Sequence, residues 1–240
     1  MTRVLKCFMS EILLFGRMPH PEVLAGNTQL TLGFGLVPYE NPTDGHEAGV
    51  NAARFAVCDA LPFSVPTSAV TIDKHPTGEP YAQLSSQHLE EQAARGIMET
   101  PVSITHDRGI AAAVAATDRE DFETLRLGID ITFADPSKLT FKNPTRKLLV
   151  PSEYEETGDD VPKIATRWAI KEAVSKALGT GIRGGGVFLR QIETHENGDR
   201  FVVNLTEKAR EIQDFWGITT WNIAVGRQDS ASIAVVVGHS

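Results

Sequence analysis

The stretch RWAIKEAVSKALG, from Arg167 to Gly179, has the spacing of an amphipathic helix but also carries four charged residues. Apolar side chains recur at the three- and four-residue intervals that place them on one side of a helix. They are Trp168, Ile170, Ala173, Val174 and Leu178. Besides Arg167, the charged residues are Glu172 and two lysines, Lys171 and Lys176. A solvated helix face is the ordinary explanation of such charges, and a functional site is the alternative.

An earlier segment echoes this stretch, which indicates an internal duplication. The segment ARFAVCDAL, from Ala53 to Leu61, reads against TRWAIKEAV, from Thr166 to Val174. Further segments correspond in the same order: TLGFGLV with RLGIDIT, and TGEPYAQLSSQHLEEQAARGI with NGDRFVVNLTEKAREIQDFWGI. Each half then runs into a pair of strand-like segments. The shared order makes duplication a better explanation than chance.

The repeated unit predicts the fold class. Its order is a strand, an irregular stretch, a helix, a turn, a short strand, a helix and then two strands, with glycines at the breaks. This order is typical of an α+β fold, so we predict two tandem similar subdomains, a pseudo-dimer, each with helices packed on a mostly antiparallel sheet. Residues 1–30 are predicted to be an N-terminal extension, 31–120 the first repeat and 121–240 the second. The charged segment TDREDFETLR between the repeats is predicted to be an exposed connection.

Composition excludes several classes of protein. The chain has 240 residues, of which 41% are apolar, so it is long enough for one large or two small domains with a proper core. Its formal net charge of -8 argues against a broad nucleic-acid surface. Two cysteines far apart make no disulfide scaffold or metal spacing, and a cytoplasmic location fits them best. No stretch approaches the roughly 18 to 20 apolar residues of a membrane span, and we predict neither a signal peptide nor membrane association.

Positions where the two halves differ are candidates for function, because a duplicated fold should pack alike in both copies. On the alignment above, Gly35 corresponds to Asp130, Asp59 to Glu172, Cys58 to Lys171, Phe63 to Lys176 and His106 to Val225. The first half has therefore lost both lysines and kept a histidine. A composite site between the halves would use both sets of residues.

Asp130 lies inside the apolar segment LGIDITF, where its charge would be costly unless something compensates it. It could be a hydrogen-bonded or strand-end carboxylate. Together with Glu172 it could instead hold a hard divalent cation, most naturally Mg²⁺. Lys176, four residues after Glu172, could form a salt bridge along the helix or contact a phosphate beside the metal. The residues alone leave these alternatives open.

Three motifs in order now suggest a family. LGIDIT, VPSEYEE and RWAIKEAVSKALG resemble the signature of the 4′-phosphopantetheinyl transferases, in which G-[IV]-D is followed by W-x-x-K-E-[AS]-x-x-K. The earlier TGEP and VSITHD resemble the G-K-P and S-H segments of the same family. The resemblance covers residues from about 50 to 240. It also implies the duplication, because the family includes pseudo-dimers with one site between two halves.

The resemblance implies a reaction and a metal site. The reaction is transfer of the phosphopantetheine arm of coenzyme A to a serine of an acyl or peptidyl carrier protein, with 3′,5′-ADP as the second product. Asp130 and Glu172 would bind Mg²⁺ with the pyrophosphate of coenzyme A, and Glu153 or Glu172 would accept the serine proton. Thr132 stands where many pseudo-dimeric members have a third metal-binding acid.

Further residues carried over from the family would hold the donor substrate. Lys176, together with Lys171, would contact the pyrophosphate, and Thr105 and His106 would reach the nucleotide phosphates. Arg54 and Lys74 would contact the 3′-phosphate or the adenine. One departure from the family pattern is Glu79, which replaces the lysine of G-K-P and removes that expected phosphate contact. Another is Thr105, which replaces a serine and keeps the hydroxyl.

Two rival functions use the same residues. One is Mg²⁺-dependent hydrolysis of a phosphoanhydride such as coenzyme A itself. The other is a catalytically silent module that binds a carrier protein. The sequence does not choose among the three functions without the resemblance.

Overall fold

The structure, a computed structural model, describes residues 30–76, 78–117, 124–135, 147–182, 184–198 and 200–240. All but the last residue of the predicted N-terminal extension, and most of the predicted charged connection, lie outside these ranges. The chain divides into two compact units, with the boundary between Leu127 and Gly128. No helix in the described part of the chain combines the length and the apolar character that crossing a membrane requires.

Unit 1 is a three-stranded antiparallel sheet with a long helix packed on it and a separate hairpin. Its elements are β1 (Thr31–Pro38), α1 (Gly45–Ala60), β2 (Val70–Lys74), β3 (Pro80–Leu84), α2 (Ser86–Ala94), β4 (Val102–Asp107) and β5 (Ile110–Thr117). The sheet order is β1-β5-β4, and β2 pairs with β3.

Unit 2 repeats this plan and adds one helix. Its elements are β6 (Leu125–Phe133), α3 (Pro151–Thr157), α4 (Val161–Ala177), β7 (Ile192–Asn197), β8 (Arg200–Leu205), α5 (Glu207–Phe215), β9 (Thr220–Gln228) and β10 (Ala231–His239). The first three residues of β6 precede the boundary and belong to unit 1. The sheet order is β6-β10-β9, and β7 pairs with β8 in an antiparallel hairpin. In the part of unit 1 that the structure describes, no helix corresponds to α3.

The matching sheet orders confirm the predicted α+β fold with two similar subdomains. Equivalent glycines end equivalent helices: Gly96 follows α2 with φ 67° and Gly217 follows α5 with φ 66°. This left-handed conformation is the usual end of a helix and favours glycine. One detail differs from the prediction. A hairpin of two strands, rather than one short strand, lies between the two main helices of each unit.

Small residues let the long helix of each unit approach its sheet closely. In unit 1, Ala52, Ala56 and Ala60 of α1 are fully buried. A Cβ added to Gly33 would collide with the carbonyl oxygen of Ala56. In unit 2, a Cβ added to Gly128 would collide with the carbonyl oxygen of Ala173. A glycine in the first strand and an alanine in the helix therefore form the same contact in both copies.

This contact corrects the alignment of the two helices by one turn. Gly33 corresponds to Gly128, so Ala56 corresponds to Ala173 rather than to Ala169. The helix ends agree, because α1 ends at Ala60 and α4 at Ala177. The side-chain pairs inferred from sequence were therefore wrong for three positions. In the structure, Arg54 corresponds to Lys171, Phe55 to Glu172 and Asp59 to Lys176.

Candidate active site

Asp130 lies in the middle of β6 and is only 6% exposed. Its Oδ1 accepts a hydrogen bond from Lys176 Nζ at 2.8 Å. Its Oδ2 accepts one from the hydroxyl of Thr132 at 2.9 Å. Thr132 can do this because residues two apart on a strand point to the same face. The charge of this buried carboxylate is therefore compensated by a cation and a hydroxyl, as its position inside an apolar strand requires.

Lys176 links α4 to the backbone of β6. Besides Asp130, its Nζ donates to the carbonyl oxygen of Ile129 at 2.9 Å. The corresponding contact in unit 1 has the opposite polarity, because Asp59 accepts a hydrogen bond from the amide of Phe34 at 3.1 Å. Each helix thus contacts the same strand position, but only the second copy places a cation there.

Glu172 lies one helical turn before Lys176 and is partly buried. One carboxylate oxygen accepts a hydrogen bond from Trp168 Nε1 at 3.1 Å. Burial raises the pKa of Glu172, and the negative charge of Asp130 raises it further, against the opposing effects of Lys176 and Trp168. The two carboxylates therefore lie close enough to repel each other, and a cation between them would relieve that repulsion.

The donor set of this site fits Mg²⁺. Magnesium commonly takes one or two protein carboxylates and completes its coordination with water and substrate phosphates. Asp130 and Glu172 supply two such carboxylates on rigid elements. Among the residues that the structure describes, no group of three or more histidine, cysteine, aspartate or glutamate side chains is placed to hold a metal ion. Thr132, at the position of the third acid, donates to Asp130 instead.

Glu153 and Lys171 do not face this site; each is 0% exposed. Lys171 Nζ donates to Glu153 Oε2 at 2.8 Å and to the carbonyl oxygen of Leu189 at 3.1 Å. Burial lowers the pKa of Lys171 to about 8, against the opposing effect of Glu153. The structure therefore gives both residues internal partners, and their predicted roles at the substrate stay predictions.

Arg167 extends this buried cluster, and the sequence comparison did not single it out. Its guanidinium is 1% exposed and donates to both oxygens of Thr194, the carbonyl and the hydroxyl, and to Glu156. Trp168 and Thr132 were likewise not expected to bind the two site carboxylates. An arginine on the apolar side of an amphipathic helix was the only signal, and such a side chain usually extends to solvent.

The remaining predicted residues belong to unit 1. Arg54 donates through Nε to the carbonyl oxygen of Val70 at 3.2 Å. Lys74 is exposed at the end of β2, and Thr105 is buried and followed by the exposed His106 near the end of β4. Asp130 and Glu172 belong to the other unit. The predicted contacts of these unit 1 residues with a nucleotide therefore stay predictions. Glu79, at the position of the missing lysine, pairs with Arg126.

Comparison with known proteins identifies the family to which this site belongs. A model of the 4′-phosphopantetheinyl transferase superfamily matches residues 126–235, which include Asp130, Glu172 and Lys176. The holo-[acyl-carrier-protein] synthase of Hydrogenovibrio crunogenus is 35% identical over 98 residues, covering 40% of this chain and 77% of that protein. The chain belongs to the 4′-phosphopantetheinyl transferase superfamily. The suspected resemblance is thereby confirmed, and the protein is a transferase of this class.

Two further proteins are similar to this chain. The fatty acid synthase subunit alpha of Candida parapsilosis is 24% identical over 205 residues, covering 81% of this chain and 10% of that protein. Among solved structures, the Helicobacter pylori holo-[acyl-carrier-protein] synthase in complex with coenzyme A is similar, with a TM-score of 0.41 and 27% identity. That similarity covers 47% of this chain and 98% of the Helicobacter protein.

Proposed function

We propose that this transferase moves the 4′-phosphopantetheine group of coenzyme A to a serine of an acyl or peptidyl carrier protein. The products are the holo-carrier protein and 3′,5′-ADP. The observation that supports the proposal most is the grouping of Asp130, Glu172 and Lys176 inside the matched region. Two carboxylates and a lysine suit a substrate with a pyrophosphate, provided that a metal ion joins them.

Asp130 and Glu172 are the residues that would hold Mg²⁺. When bound, the metal supplies a Lewis acid that neutralises charge developing on the pyrophosphate. Asp130 is pre-oriented for this role by Thr132 and Lys176, and Glu172 by Trp168. Such pre-orientation strengthens metal binding, because ordering a mobile side chain at each binding event costs free energy.

The protein's own groups would carry the rest of the chemistry. Lys176 Nζ lies beside Asp130 and is partly exposed, so it can donate to phosphate oxygens and stabilise the departing 3′,5′-ADP. Glu172 is also partly exposed, so it can accept the serine proton directly or through a water molecule. Of the two predicted proton acceptors, Glu172 suits the role better, because the carboxylate of Glu153 is enclosed by protein donors.

A mass-shift assay tests the proposal. The protein is incubated with Mg²⁺, coenzyme A and each of a panel of apo carrier proteins, and we expect at least one carrier to gain the mass of one phosphopantetheine group. Asp130→Asn and Glu172→Gln should each lower the rate by at least about 100-fold, the scale of losing one preorganised charge-stabilising group. Asp59→Asn in unit 1 is the matched control, because it keeps an acceptor for the Phe34 amide and should leave the rate unchanged.

Each rival function predicts a different result in the same assay. A coenzyme A hydrolase would release 3′,5′-ADP without any carrier and leave the carriers unmodified. A silent binding module would change neither substrate, and Glu172→Gln would not affect it. Either pattern with the unmodified protein would contradict the proposed transfer.

A further inference from the structure

We infer that Glu153 and Lys171 form a buried positioning pair, which sets the rotation of α4 and thereby the direction of Glu172. The inference rests on the proposed function, because it assigns a purpose to the metal-binding geometry of Glu172. It gives Glu153 a role other than the proton acceptor that the family resemblance implied.

The Glu153 carboxylate is saturated by protein donors. Its Oε2 accepts from the amide of Val150 and from Lys171 Nζ, both at 2.8 Å. Its Oε1 accepts from the amide of Thr194 at 2.8 Å and from the hydroxyl of Thr194 at 2.7 Å. A carboxylate offers about four lone-pair sites, and four hydrogen bonds occupy them. A fully buried carboxylate with this set of bonds cannot reach a serine hydroxyl on another protein.

Lys171 connects this carboxylate to the helix that carries the site. Its ammonium group joins α4 to α3 through Glu153 and to the turn before β7 through Leu189. Glu172 is the next residue, and successive helical residues differ in direction by about 100°. Fixing the direction of Lys171 on one side of α4 therefore fixes the direction of Glu172 on the side near Asp130. One turn earlier, Arg167 makes a second connection to β7 through Thr194.

Unit 1 provides an internal comparison. Arg54 occupies the position of Lys171 and likewise donates to backbone at the start of the following hairpin, at Val70. A cation that ties the long helix to the hairpin therefore belongs to the shared fold. Among the described residues, the acidic partner and α3 occur in unit 2 and not in unit 1, and the next helical residue in unit 2 is Glu172 rather than Phe55. The ion pair is therefore found in the unit that carries the candidate site and is not a requirement of the shared fold.

The energetics of buried ion pairs supply the discriminating experiment. Removing one partner leaves a buried charge without compensation, whereas replacing both by apolar side chains of similar size is often well tolerated. We therefore compare Glu153→Met with the double variant Glu153→Met/Lys171→Met in the full-length protein. The measurements are Mn²⁺ affinity by electron paramagnetic resonance, kcat and KM for transfer, and thermal unfolding.

The positioning role predicts loss in the single variant and recovery in the double variant. Glu153→Met should weaken Mn²⁺ binding and lower kcat by about 10- to 100-fold, the usual effect of losing a group that orients a metal ligand. The double variant should recover most of both losses, so that its Mn²⁺ affinity and its kcat lie nearer to those of the original protein than to those of Glu153→Met. Glu155→Gln, on the exposed side of α3, is the matched control and should change neither quantity.

A role of Glu153 as the proton acceptor predicts a loss of activity that the double replacement does not restore. If Glu153 accepts the serine proton, both variants lose kcat equally, keep their Mn²⁺ affinity and lose the acidic limb of the pH-rate profile. That pattern would overturn the inference. Failure of the proposed function is distinct, because the original protein would then transfer nothing while its Mn²⁺ affinity still responded to the pair.

A milder variant covers the case in which Glu153→Met does not fold. Thr194→Val removes one hydroxyl donor to Glu153 and keeps both members of the ion pair. The positioning role predicts weaker Mn²⁺ binding for this variant as well, with an unchanged acidic limb of the pH-rate profile. Unaltered Mn²⁺ affinity in a folded Thr194→Val protein would overturn the inference.

Discussion

Single residues decide how close the long helix of each unit lies to its sheet. Gly128 is the clearest case, because a side chain there would meet the carbonyl oxygen of Ala173 in α4. Asp130 is two residues further along β6 and points into the site with Thr132. The distance from strand to helix thus controls both the packing of unit 2 and the reach of Lys176 to Asp130.

Gly128→Ala should destabilise the protein and impair the site together. Inserting a methyl group into a packed contact typically costs about 1–3 kcal/mol, and more where the neighbour is backbone. We expect a lower free energy of unfolding in urea and weaker Mn²⁺ binding. Gly198→Asn is a useful control, because Gly198 has φ 67° with open space around it and asparagine tolerates that conformation. Equal stability of the Gly128→Ala and original proteins would contradict a close helix-strand contact.

At the scale of elements, α4 differs from α1 in what its polar residues do. Both helices end at equivalent alanines and bury the same alanine face. In α4, three functions lie within three turns: Arg167 and Lys171 hold the helix in place, Trp168 orients Glu172, and Lys176 orients Asp130. Such a helix must begin at a defined residue, because a shift of start would rotate every one of these side chains.

Asp160 defines that beginning and offers a test at the first turn of α4. Its side chain accepts a hydrogen bond from the amide of Lys163 at 3.0 Å, which is the bond of an N-cap. Asp160→Ala should lower the free energy of unfolding by about 1 kcal/mol, within a usual range of about 0.5–2 kcal/mol. Asp160→Asn should keep most of that stability, because asparagine is an equally good N-cap. The prediction fails if both variants lose the same amount in urea unfolding.

At the scale of the whole molecule, one fold occurs twice, but among the described residues the two proposed metal-binding carboxylates occur only in unit 2. Phe55 and Gly35 of unit 1 stand where unit 2 has Glu172 and Asp130. A side chain at Gly35 would collide with the carbonyl oxygen of Ala52, so unit 1 has no room for a carboxylate at that position. Close packing of helix and strand in unit 1 therefore excludes the carboxylate that unit 2 carries at this position.

Titration with Mn²⁺ should accordingly find one tight divalent site per chain and not two. Asp130→Asn should abolish that site. Phe55→Glu should not create a second one, because a single carboxylate without the counterpart of Asp130 is a poor site for a hard cation. Electron paramagnetic resonance of free Mn²⁺ measures the number of ions bound. Two tight ions in the original protein would contradict the assignment of the ligands to unit 2 alone.

The sequence by itself determined the fold class, the duplication and the family. These inferences rest on the periodicity of apolar residues, the glycines at equivalent breaks and the order of the motifs. These features depend only on local preferences and on residue type, so they can be read from the sequence. The motif LGIDIT and the helix RWAIKEAVSKALG likewise identified Asp130, Glu172 and Lys176 as candidates for one site, and the structure brings them together.

Only the tertiary structure decided how the long helices of the two units align and which polar residues of α4 are buried. Gapless comparison matched Asp59 with Glu172, because one helical turn preserves an amphipathic pattern and sequence periodicity cannot detect the shift. The contacts of Gly33 and Gly128 fixed the register, since backbone carbonyls cannot be moved. The structure also shows that Glu153 and Lys171 are fully buried, whereas Glu172 and Lys176 are partly exposed. Adjacent residues on a helix point in different directions, and which direction faces solvent depends on what packs against the helix.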